Sequence, residues 1–373
     1  MSGDPRPVAL VTGEVSPYRR EPYRMLDEAQ GLEVIAWADR GDPIPGLTVR
    51  RPTQAGAARL IGSGRYRAVI CGLGGRIALP ATYLAARRAG IPFVLWAGIW
   101  AHPRTPAHVL SRLPTLYLYR HADAVATYGT HVSDHVRVAR GGRGNVFEAP
   151  QAVDSALFAA PVAKAERAAA RERAGAGEGD FLALFAGRLE HEKGVPVLLE
   201  AWRRAGLAVG AVLAVAGDGP LRAEVERAGG GVRALGPVER SDLPALYAAA
   251  DALVLPSVRT ATFTEPWGLV VNEAMHGGTP VIASDAVGAV AGGLVHDGRN
   301  GLVAPAGDAA AMATRLRTMA LNPALRERLG TAAADDVKAF SLEAWVDGMS
   351  AALAAVGRSR GSAIPPGGGD PLC

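Results

Sequence analysis

At 373 residues the chain is long enough for two ordinary domains, and its 49% hydrophobic and 20% charged residues exclude a disordered protein. Its two cysteines, Cys71 and Cys373, exclude a disulfide framework, so we expect a reducing, cytoplasmic setting. We also expect no secretory signal and no membrane span, because the apolar run near the start is only Val8–Val11 and the longest, near 207–216, is about half of a span.

Charge is unevenly divided between the two halves of the chain. Residues 1–165 carry 20 Lys and Arg against 12 Asp and Glu, whereas residues 166–373 carry 20 against 24. A basic first half suggests an anionic partner on that side: a phospholipid surface at the inner membrane face, a lipid-diphosphate acceptor or an acidic glycan. An Arg-rich codon bias would give the same count. Nucleic acid is disfavoured, because no basic run is interleaved with aromatic residues.

Strand and helix patterns alternate along the first 150 residues. Short apolar runs without polar alternation are typical of strands buried on both faces of a parallel sheet. The predicted strands are Val8–Val11, Leu32–Trp37, Ala68–Cys71, Pro92–Trp96 and Ala124–Thr127. Predicted helices between them include Pro22–Ala29, Ala81–Ala89 and Ala107–Tyr119.

The alternation breaks at about residues 150–165 and then restarts. The further predicted strands are Phe181–Gly187, Ala211–Gly217, Ala252–Pro256 and Pro280–Ser284. The pattern therefore predicts an α/β fold of two doubly wound, Rossmann-like domains that face a cleft. We place the first domain at residues 1–160 and the second at 161–340. Residues 341–373 are predicted to be a terminal helix that crosses back, followed by a disordered tail.

The segment GRLEHEKG, residues 187–194, follows a predicted strand and enters a helix near Val195. Arg188 and Lys193 therefore lie in a strand-to-helix loop at the mouth of the cleft, where two cations can bind one diphosphate. Solvated surface cations would give the same pattern, but only three of the 40 basic residues are lysine. A compact ammonium at position 193 favours phosphate binding.

Two glutamates flank the start of the helix predicted near Gly268. Glu265 precedes this helix and Glu273 lies on it, so a rise of 1.5 Å per residue puts them roughly 12 Å apart. Paired glycosidase carboxylates are closer, at about 5–9.5 Å. The wider separation suits two carboxylates that hold opposite ends of an extended ligand, with the free amides of Gly268 and Leu269 facing an anion between them. Dipole complementation and a solvated helix position are the simpler alternatives.

Two weaker signals accompany these motifs. In AGDGPLR, residues 216–222, Gly217 and Gly219 allow close approach of the backbone to a ligand. In YGTHVSDHV, residues 128–136, His131 and His135 lie one helical turn apart, but no third metal ligand is apparent, so we expect no metal and no other cofactor.

The second half resembles the retaining family 4 glycosyltransferases of the GT-B fold. The resemblance runs from about Phe181 to Asp308 and rests on GRLEHEKG, AGDGPLR and the E-x7-E arrangement of Glu265 and Glu273. It implies that Arg188 and Lys193 bind the diphosphate of a nucleotide-sugar donor. It further implies that Glu265 contacts the transferred sugar, that Glu273 binds the ribose hydroxyls, and that no metal is needed.

The first half resembles the acceptor domain of that family more loosely. In TGEVSPYRREPYRML, residues 12–26, Gly13 is expected to approach the donor phosphates, and Ser16, Tyr18 and Arg19 to face the acceptor. His102, in WAGIWAHPRTP, is our candidate for the acceptor-domain histidine that contacts the sugar in many relatives. Gly129 and Thr130, at a predicted helix start, are further candidates for acceptor contacts.

The resemblance implies a hexosyltransferase that acts with retention of configuration on a glycan, lipid-linked or small-molecule acceptor. UDP- and GDP-sugars are the expected donors, with UDP ahead on family frequency alone. Cell-envelope or polysaccharide biosynthesis is the expected setting. A non-catalytic nucleotide-sugar binding module and a nucleotide-sugar 2-epimerase remain alternatives. An NAD-dependent dehydrogenase is disfavoured, because CGLGGR, residues 71–76, lacks the third glycine of G-x-G-x-x-G.

Overall fold

The computed structural model describes residues 4–38, 43–75, 77–101, 106–207 and 210–361, with the side chains of 106–111 and 358–361 left aside. It contains two parallel β-sheets with helices packed on both faces, one sheet from each half of the chain. This arrangement confirms the predicted pair of doubly wound α/β domains.

The N-terminal domain is built on a seven-stranded parallel sheet of order β3-β2-β1-β4-β5-β6-β7. Its strands are β1 (Val8–Thr12), β2 (Leu32–Ala36), β3 (Thr48–Arg50), β4 (Ala68–Gly72), β5 (Phe93–Ala97), β6 (Ala124–Thr127) and β7 (Val146–Glu148). Its helices are α1 (Arg20–Gln30), α2 (Gln54–Ile61), α3 (Ala78–Arg88), α4 (Pro106–His121) and α5 (Thr130–Arg140). A 3-10 turn, Pro17–Arg19, leads into α1.

A short linker carries the chain to the second domain. It contains α6 (Ser155–Phe158), whose first turn is capped by the Asp154 carboxylate, and α7 (Lys164–Arg173). Gln151, in this linker, is 1% exposed and therefore lies between the two domains' packed elements rather than in solvent.

The C-terminal domain is built on a six-stranded parallel sheet of order β10-β9-β8-β11-β12-β13. Its strands are β8 (Phe181–Ala186), β9 (Ala211–Ala216), β10 (Val232–Gly236), β11 (Ala252–Leu255), β12 (Val281–Ser284) and β13 (Gly301–Ala304). Its helices are α8 (Val195–Ala205), α9 (Arg222–Arg227), α10 (Leu243–Ala249), α11 (Leu269–His276), α12 (Gly288–Ala291), α13 (Ala309–Leu321) and α14 (Pro323–Asp336), and α15 (Leu342–Gly361) ends the described chain.

The strand orders fix where a ligand can enter each domain. The order reverses between β1 and β4 in the first sheet and between β8 and β11 in the second. In open parallel sheets the loops at the carboxyl ends of such strands diverge and leave a crevice. The loops that begin at Gly13 and Leu73 and those that begin at Gly187 and Pro256 therefore border the candidate sites.

Helix α15 packs back against the N-terminal domain. Trp345 is 1% exposed, and its ring centroid lies 6.1 Å from that of Tyr23 and 5.6 Å from that of Trp96. At Gly348 an added Cβ would lie 2.0 Å from the carbonyl oxygen of Glu148, so the helix approaches β7 as closely as glycine allows. The last helix thus ties the two domains together.

One stretch of the described chain, Pro323–Gly357, is long and apolar enough to cross a membrane by length and composition alone. It comprises α14, a 3-10 turn and most of α15, and 44% of its most apolar window is buried inside the protein. Leu329 and Met349 are both fully buried there. Packing within the fold therefore accounts for part of the hydropathy of this stretch.

Candidate functional site

The loop after β8 turns back against the end of β11. Lys193 ends a 3-10 turn, and Gly194 follows with φ +75°. A Cβ at Gly194 would lie 1.9 Å from the carbonyl oxygen of Pro256, so only glycine permits this contact. The amide of Val258 donates to the carbonyl oxygen of Glu192 at 3.0 Å and fixes the same approach. Lys193 therefore lies next to the residues that follow β11.

Lys193 and Glu265 form a part-buried ion pair. The Lys193 Nζ lies 2.5 Å from Glu265 Oε2, and their side chains are 16% and 7% exposed. The Ser257 hydroxyl donates to the same carboxylate oxygen at 3.0 Å. The ammonium also lies 5.2 Å from the centroid of the Phe263 ring. The two residues that the sequence assigns to the diphosphate and the sugar are therefore in direct contact.

Arg188 lies at the rim of the same loop. Its side chain is 59% exposed and pairs with Glu190 at 2.6 Å and with Glu192 at 3.2 Å. Exposed pairs of this kind contribute about 0–1 kcal/mol, so the guanidinium can exchange its partners for a ligand anion at little cost.

The loops after β8 and β9 approach each other closely. The amide of Gly187 donates to Ala216, and the amide of Leu189 donates to Asp218, at 3.0 and 2.9 Å. At Gly217, whose φ is +139°, a Cβ would lie 1.8 Å from the carbonyl oxygen of Gly187. This glycine therefore lets the AGDGPLR loop pack beside the loop that carries Arg188.

Glu273 is held by a partner of its own. It is 8% exposed, and Tyr247 donates its hydroxyl to Glu273 Oε2 at 2.7 Å. Burial raises the pKa of Glu273 above its ordinary value, against the opposing effects of the Tyr247 hydrogen bond and the Arg240 charge. The two glutamates of the E-x7-E motif thus occupy separate polar sites on either side of the start of α11.

Helix α11 begins at Leu269, with Gly268 as its N-cap at φ +95°. A Cβ at Gly268 would meet the Leu255 side chain at 2.7 Å. The first amides of a helix have no intrahelical acceptor. Gly268 and Leu269 therefore place free N–H groups a few residues after Glu265.

The segment Glu265–Pro266 also touches the N-terminal domain. The Trp100 indole donates to the carbonyl oxygen of Glu265 at 3.1 Å, and His131 Nε2 lies 3.3 Å from that of Pro266. Burial lowers the pKa of His131 to about 4, so this histidine is neutral at pH 7 and donates through Nε2. These contacts place the Lys193–Glu265 pair at the seam between the domains.

A cavity of about 360 Å³ opens in the N-terminal domain on the other side of this seam. Its walls include Gly13, Ser16, Tyr18 and Arg19, and Pro266 closes it from the C-terminal domain. Four predicted site residues of the first domain therefore share one cavity, which touches the Glu265 loop. Two further candidates, Gly129 and Thr130, lie at the start of α5, where a Cβ at Gly129 would be 3.0 Å from the Trp267 ring.

Several predicted features fall elsewhere. His102, Cys373 and residues 362–373 of the predicted disordered tail lie outside the described residues, so the histidine's role stays a prediction. The prediction that the tail begins at Gly357 was wrong, because α15 continues to Gly361. Cys71 is buried, and burial raises the pKa of its thiol to about 12. Within the described chain, no group of three or more His, Cys, Asp or Glu side chains is arranged to hold a metal ion.

Sequence reasoning missed the side chains that hold the site together. Ser257 and Tyr247 each donate a hydroxyl to one of the two glutamates, and Trp100 donates to the Glu265 backbone from the opposite domain. Ser257 had one sequence signal, since it directly follows a predicted strand. Trp100 lies in the segment WAGIWAHPRTP, which follows a predicted strand, but its contact with the other domain had no signal. Tyr247 had none, because its contact depends on how helices pack.

Residues 166–336 match the family model described as glycosyl transferases group 1. A D-inositol 3-phosphate glycosyltransferase of Streptomyces avermitilis is 37% identical over 193 residues, which is 47% of this chain and 39% of that protein. A glycogen synthase of Mycobacterium tuberculosis is 31% identical over 225 residues, or 58% of this chain and 50% of that protein. The chain thus matches half or less of the length of these relatives.

Solved structures resemble the whole chain. Anabaena Alr3699/HepE, solved in complex with UDP and glucose, superposes with a TM-score of 0.76 at 20% identity, covering 94% of this chain and all of that one. Sucrose-phosphate synthase from Thermosynechococcus elongatus gives 0.75 at 21% identity, with 95% and 100% covered. These neighbours confirm the GT-B fold, and together with the family match they support a glycosyltransferase family.

Proposed function

We propose that this protein is a retaining glycosyltransferase that moves a hexose from a nucleotide diphosphate sugar to a hydroxyl group of an acceptor. The observation that carries the proposal is the Lys193–Glu265 pair. It combines a cation suited to phosphate with a carboxylate suited to sugar hydroxyls, at the carboxyl ends of β8 and β11. It also lies beside a cavity of the opposite domain, which is where an acceptor must approach the transferred sugar.

Donor binding exchanges the partners of both cations. The diphosphate takes the place of Glu265 at Lys193, and of Glu190 and Glu192 at Arg188. Glu265 is then free to accept hydrogen bonds from the sugar while Ser257 holds its orientation. Glu273, which keeps Tyr247 on one oxygen, binds the ribose hydroxyls with the other.

The transfer step breaks the bond between the anomeric carbon and the diphosphate oxygen and forms the bond to the acceptor oxygen on the same face. The acceptor's proton passes to the departing phosphate oxygen. Lys193, Arg188 and the amides of Gly268 and Leu269 stabilise the negative charge that grows on the leaving diphosphate. Closure of the two domains excludes water, which is the competing acceptor.

UDP is the favoured nucleotide, with GDP as the alternative. The UDP and UDP-glucose complexes of the structurally similar Anabaena protein support this choice. The acceptor is proposed to be a glycan, a lipid-linked sugar or a small molecule of cell-envelope or polysaccharide biosynthesis. No resident cofactor or metal takes part in the proposed reaction.

We further propose a cytoplasmic protein that contacts an anionic membrane surface through its N-terminal domain. Five of the six large exposed hydrophobic side chains of the described chain lie in that domain. Leu113 and Tyr117, one turn apart on α4, are 76% and 52% exposed. The net positive charge of residues 1–165 supplies the attraction to anionic lipid.

The test is a panel of UDP- and GDP-hexoses. A true donor at 100 times its Kd adds about 2.7 kcal/mol of stability and raises the melting temperature measurably. Slow release of nucleoside diphosphate without acceptor, and a product that keeps the donor's anomeric configuration by NMR, would support a retaining transferase. Release of an epimerised hexose would identify an epimerase, and binding without turnover a binding module. Absence of stabilisation by every nucleotide sugar would refute all three.

A further inference from the structure

Arg19 is a buried guanidinium with an unusual set of partners. It is 6% exposed, and its Nη2 donates to Gln151 Oε1 at 2.5 Å. Its other contacts are with rings: the guanidinium carbon lies 4.5 Å from the centroid of Trp96, 4.9 Å from Tyr18 and 5.9 Å from Tyr128. Among the described residues it pairs with no carboxylate. A buried positive charge is thus left without a counter-charge.

A second buried arginine shows what a purely structural partner set looks like in this fold. Arg140 is 5% exposed, and it donates to the carbonyl oxygens of four residues. Those oxygens belong to Tyr119, Ala122, Arg143 and Gly144. Arg19, equally buried, has one protein acceptor and lines the cavity instead. Burial alone therefore does not explain its surroundings.

The groups next to Arg19 are donors as well. The Trp96 indole N–H and the Gln151 side-chain N–H₂ are both buried without a hydrogen-bond partner. The single carboxylate among the residues that line the cavity, Glu14, is exposed at its rim and accepts from the Ser16 hydroxyl at 3.4 Å. Arg19 thus brings a positive charge to the cavity wall, and the unpaired N–H donors lie beside it, which favours an anion.

We propose that this cavity binds an oxyanion of the acceptor, a phosphate or a carboxylate, against the Arg19 guanidinium. The aromatic faces of Trp96 and Tyr18 hold the guanidinium in place by cation–π contact and leave its free N–H groups to the ligand. Pro266 joins the cavity to the Glu265 loop, so a hydroxyl of the same acceptor lies toward the transferred sugar. The inference rests on the proposed transferase function and narrows its acceptor to an anionic class.

The experiment measures binding of three probes to the UDP-saturated protein: D-glucose 6-phosphate, D-glucuronate and neutral D-glucose. Vesicles of phosphatidylinositol in phosphatidylcholine form a fourth arm, which distinguishes a lipid headgroup from a free phosphate. We expect at least one anionic probe to bind at least tenfold more tightly than glucose. Equal affinity for glucose, or binding of no probe, would overturn the inference.

Three variants locate the effect. Arg19→Gln is expected to weaken the anionic probe at least tenfold, whereas Arg24→Gln, which removes an exposed charge from α1, is expected to have no effect. Gln151→Glu supplies Arg19 with a carboxylate at the same position. If Arg19 binds the ligand anion, this variant keeps or raises the melting temperature yet loses at least tenfold in probe affinity. If Arg19 only anchored the linker through Gln151, the Gln151→Glu variant would bind the probe with unchanged affinity.

The readouts separate this inference from the proposed function. Stabilisation by UDP depends on the C-terminal domain and is measured for each variant before any probe is added. Loss of UDP binding in the wild-type protein would refute the transferase proposal. Retention of UDP binding with no preference for anionic probes would refute the acceptor inference alone.

Discussion

Replacing Lys193 by alanine leaves the Glu265 carboxylate buried with only the Ser257 hydroxyl as partner. Removing one member of a fully buried ion pair costs about 3–5 kcal/mol, because the remaining charge stays in a poorly solvated site. The pair's side chains are 16% and 7% exposed, and the hydroxyl is retained, so we expect the lower end, about 3 kcal/mol. Glu265→Gln keeps an acceptor for both partners, and its cost should be about 1 kcal/mol.

The same two variants should lose activity for a different reason. Removing a group that stabilises charge in the transition state typically lowers kcat by about 10²–10³. Lys193→Ala is therefore expected to slow transfer and donor hydrolysis by about this factor. Glu265→Gln should slow both as well, because it changes the group proposed to hold the sugar. Only the alanine variant should also be markedly less stable.

The free energy of unfolding of each variant is measured by urea unfolding followed by circular dichroism, and the m-value is checked in each case. Initial rates of nucleoside diphosphate release measure the catalytic term. The double variant Lys193→Met/Glu265→Gln removes both charges and should cost less than the sum of the single changes, since the two groups are coupled. Lys338→Ala, which opens an exposed pair with Asp335, is the matched control and should change neither quantity. If Lys193→Ala were as stable as Glu265→Gln and turned over like the wild type, the assigned role of the pair would be wrong.

Three further predictions follow from the described contacts. Burial raises the pKa of Glu273, so the contribution of this residue to the stability of the fold is fully present below the unfolded pKa near 4.5 and is lost as the pH rises through the folded pKa. Glu273→Gln should therefore raise the melting temperature at pH 7 but not below pH 4.5, and it should weaken donor binding about tenfold. A lower melting temperature of this variant at pH 7 would contradict the argument. Gly217→Ala forces a Cβ to 1.8 Å from the Gly187 carbonyl oxygen and should lower the free energy of unfolding in urea by about 3 kcal/mol or more. Gly357→Ala, at a helix position with open space around it, should be neutral or stabilising. Equal effects of the two variants would refute the packing explanation. The wild-type protein should co-sediment with phosphatidylglycerol vesicles at low salt, and the Leu113→Glu variant should co-sediment less. Phosphatidylcholine vesicles are the control. Equal co-sedimentation with the two lipids would exclude the proposed membrane contact.

The central strands were predictable because each is a continuous apolar run, which is typical of a strand buried on both faces of a parallel sheet. Phe181–Ala186 is apolar at every position and is buried at every position. The strands that are not among the predicted apolar runs are β3, β7, β10 and β13, and all four lie at sheet edges. Thr48–Arg50 begins with the exposed Thr48, and Val232–Gly236 contains the exposed Arg233. Edge strands often carry such polar residues, and three to five residues of this kind form no distinct apolar run.

The candidate site divides in the same way. Position at a strand end follows from local sequence, which predicts Arg188, Lys193 and Gly217 in strand-to-helix loops. That the two loops are neighbours is a property of the folded sheet. The contact between Lys193 and Glu265 joins residues 72 positions apart and depends on the strand order β8-β11, which single-chain patterns do not reveal. The unpaired charge of Arg19 is likewise a property of the folded chain, since nearby carboxylates in the sequence, such as Glu21, pair with Arg24 instead.

A structure of the protein with bound UDP-hexose tests the central claim most directly. The account predicts diphosphate oxygens within about 3 Å of Lys193 Nζ and of the Arg188 guanidinium. It also predicts that the Lys193–Glu265 pair has opened, with Glu265 on the hexose and Glu273 on the ribose. A nucleotide bound elsewhere, or one bound while Lys193 stays paired with Glu265, would contradict it.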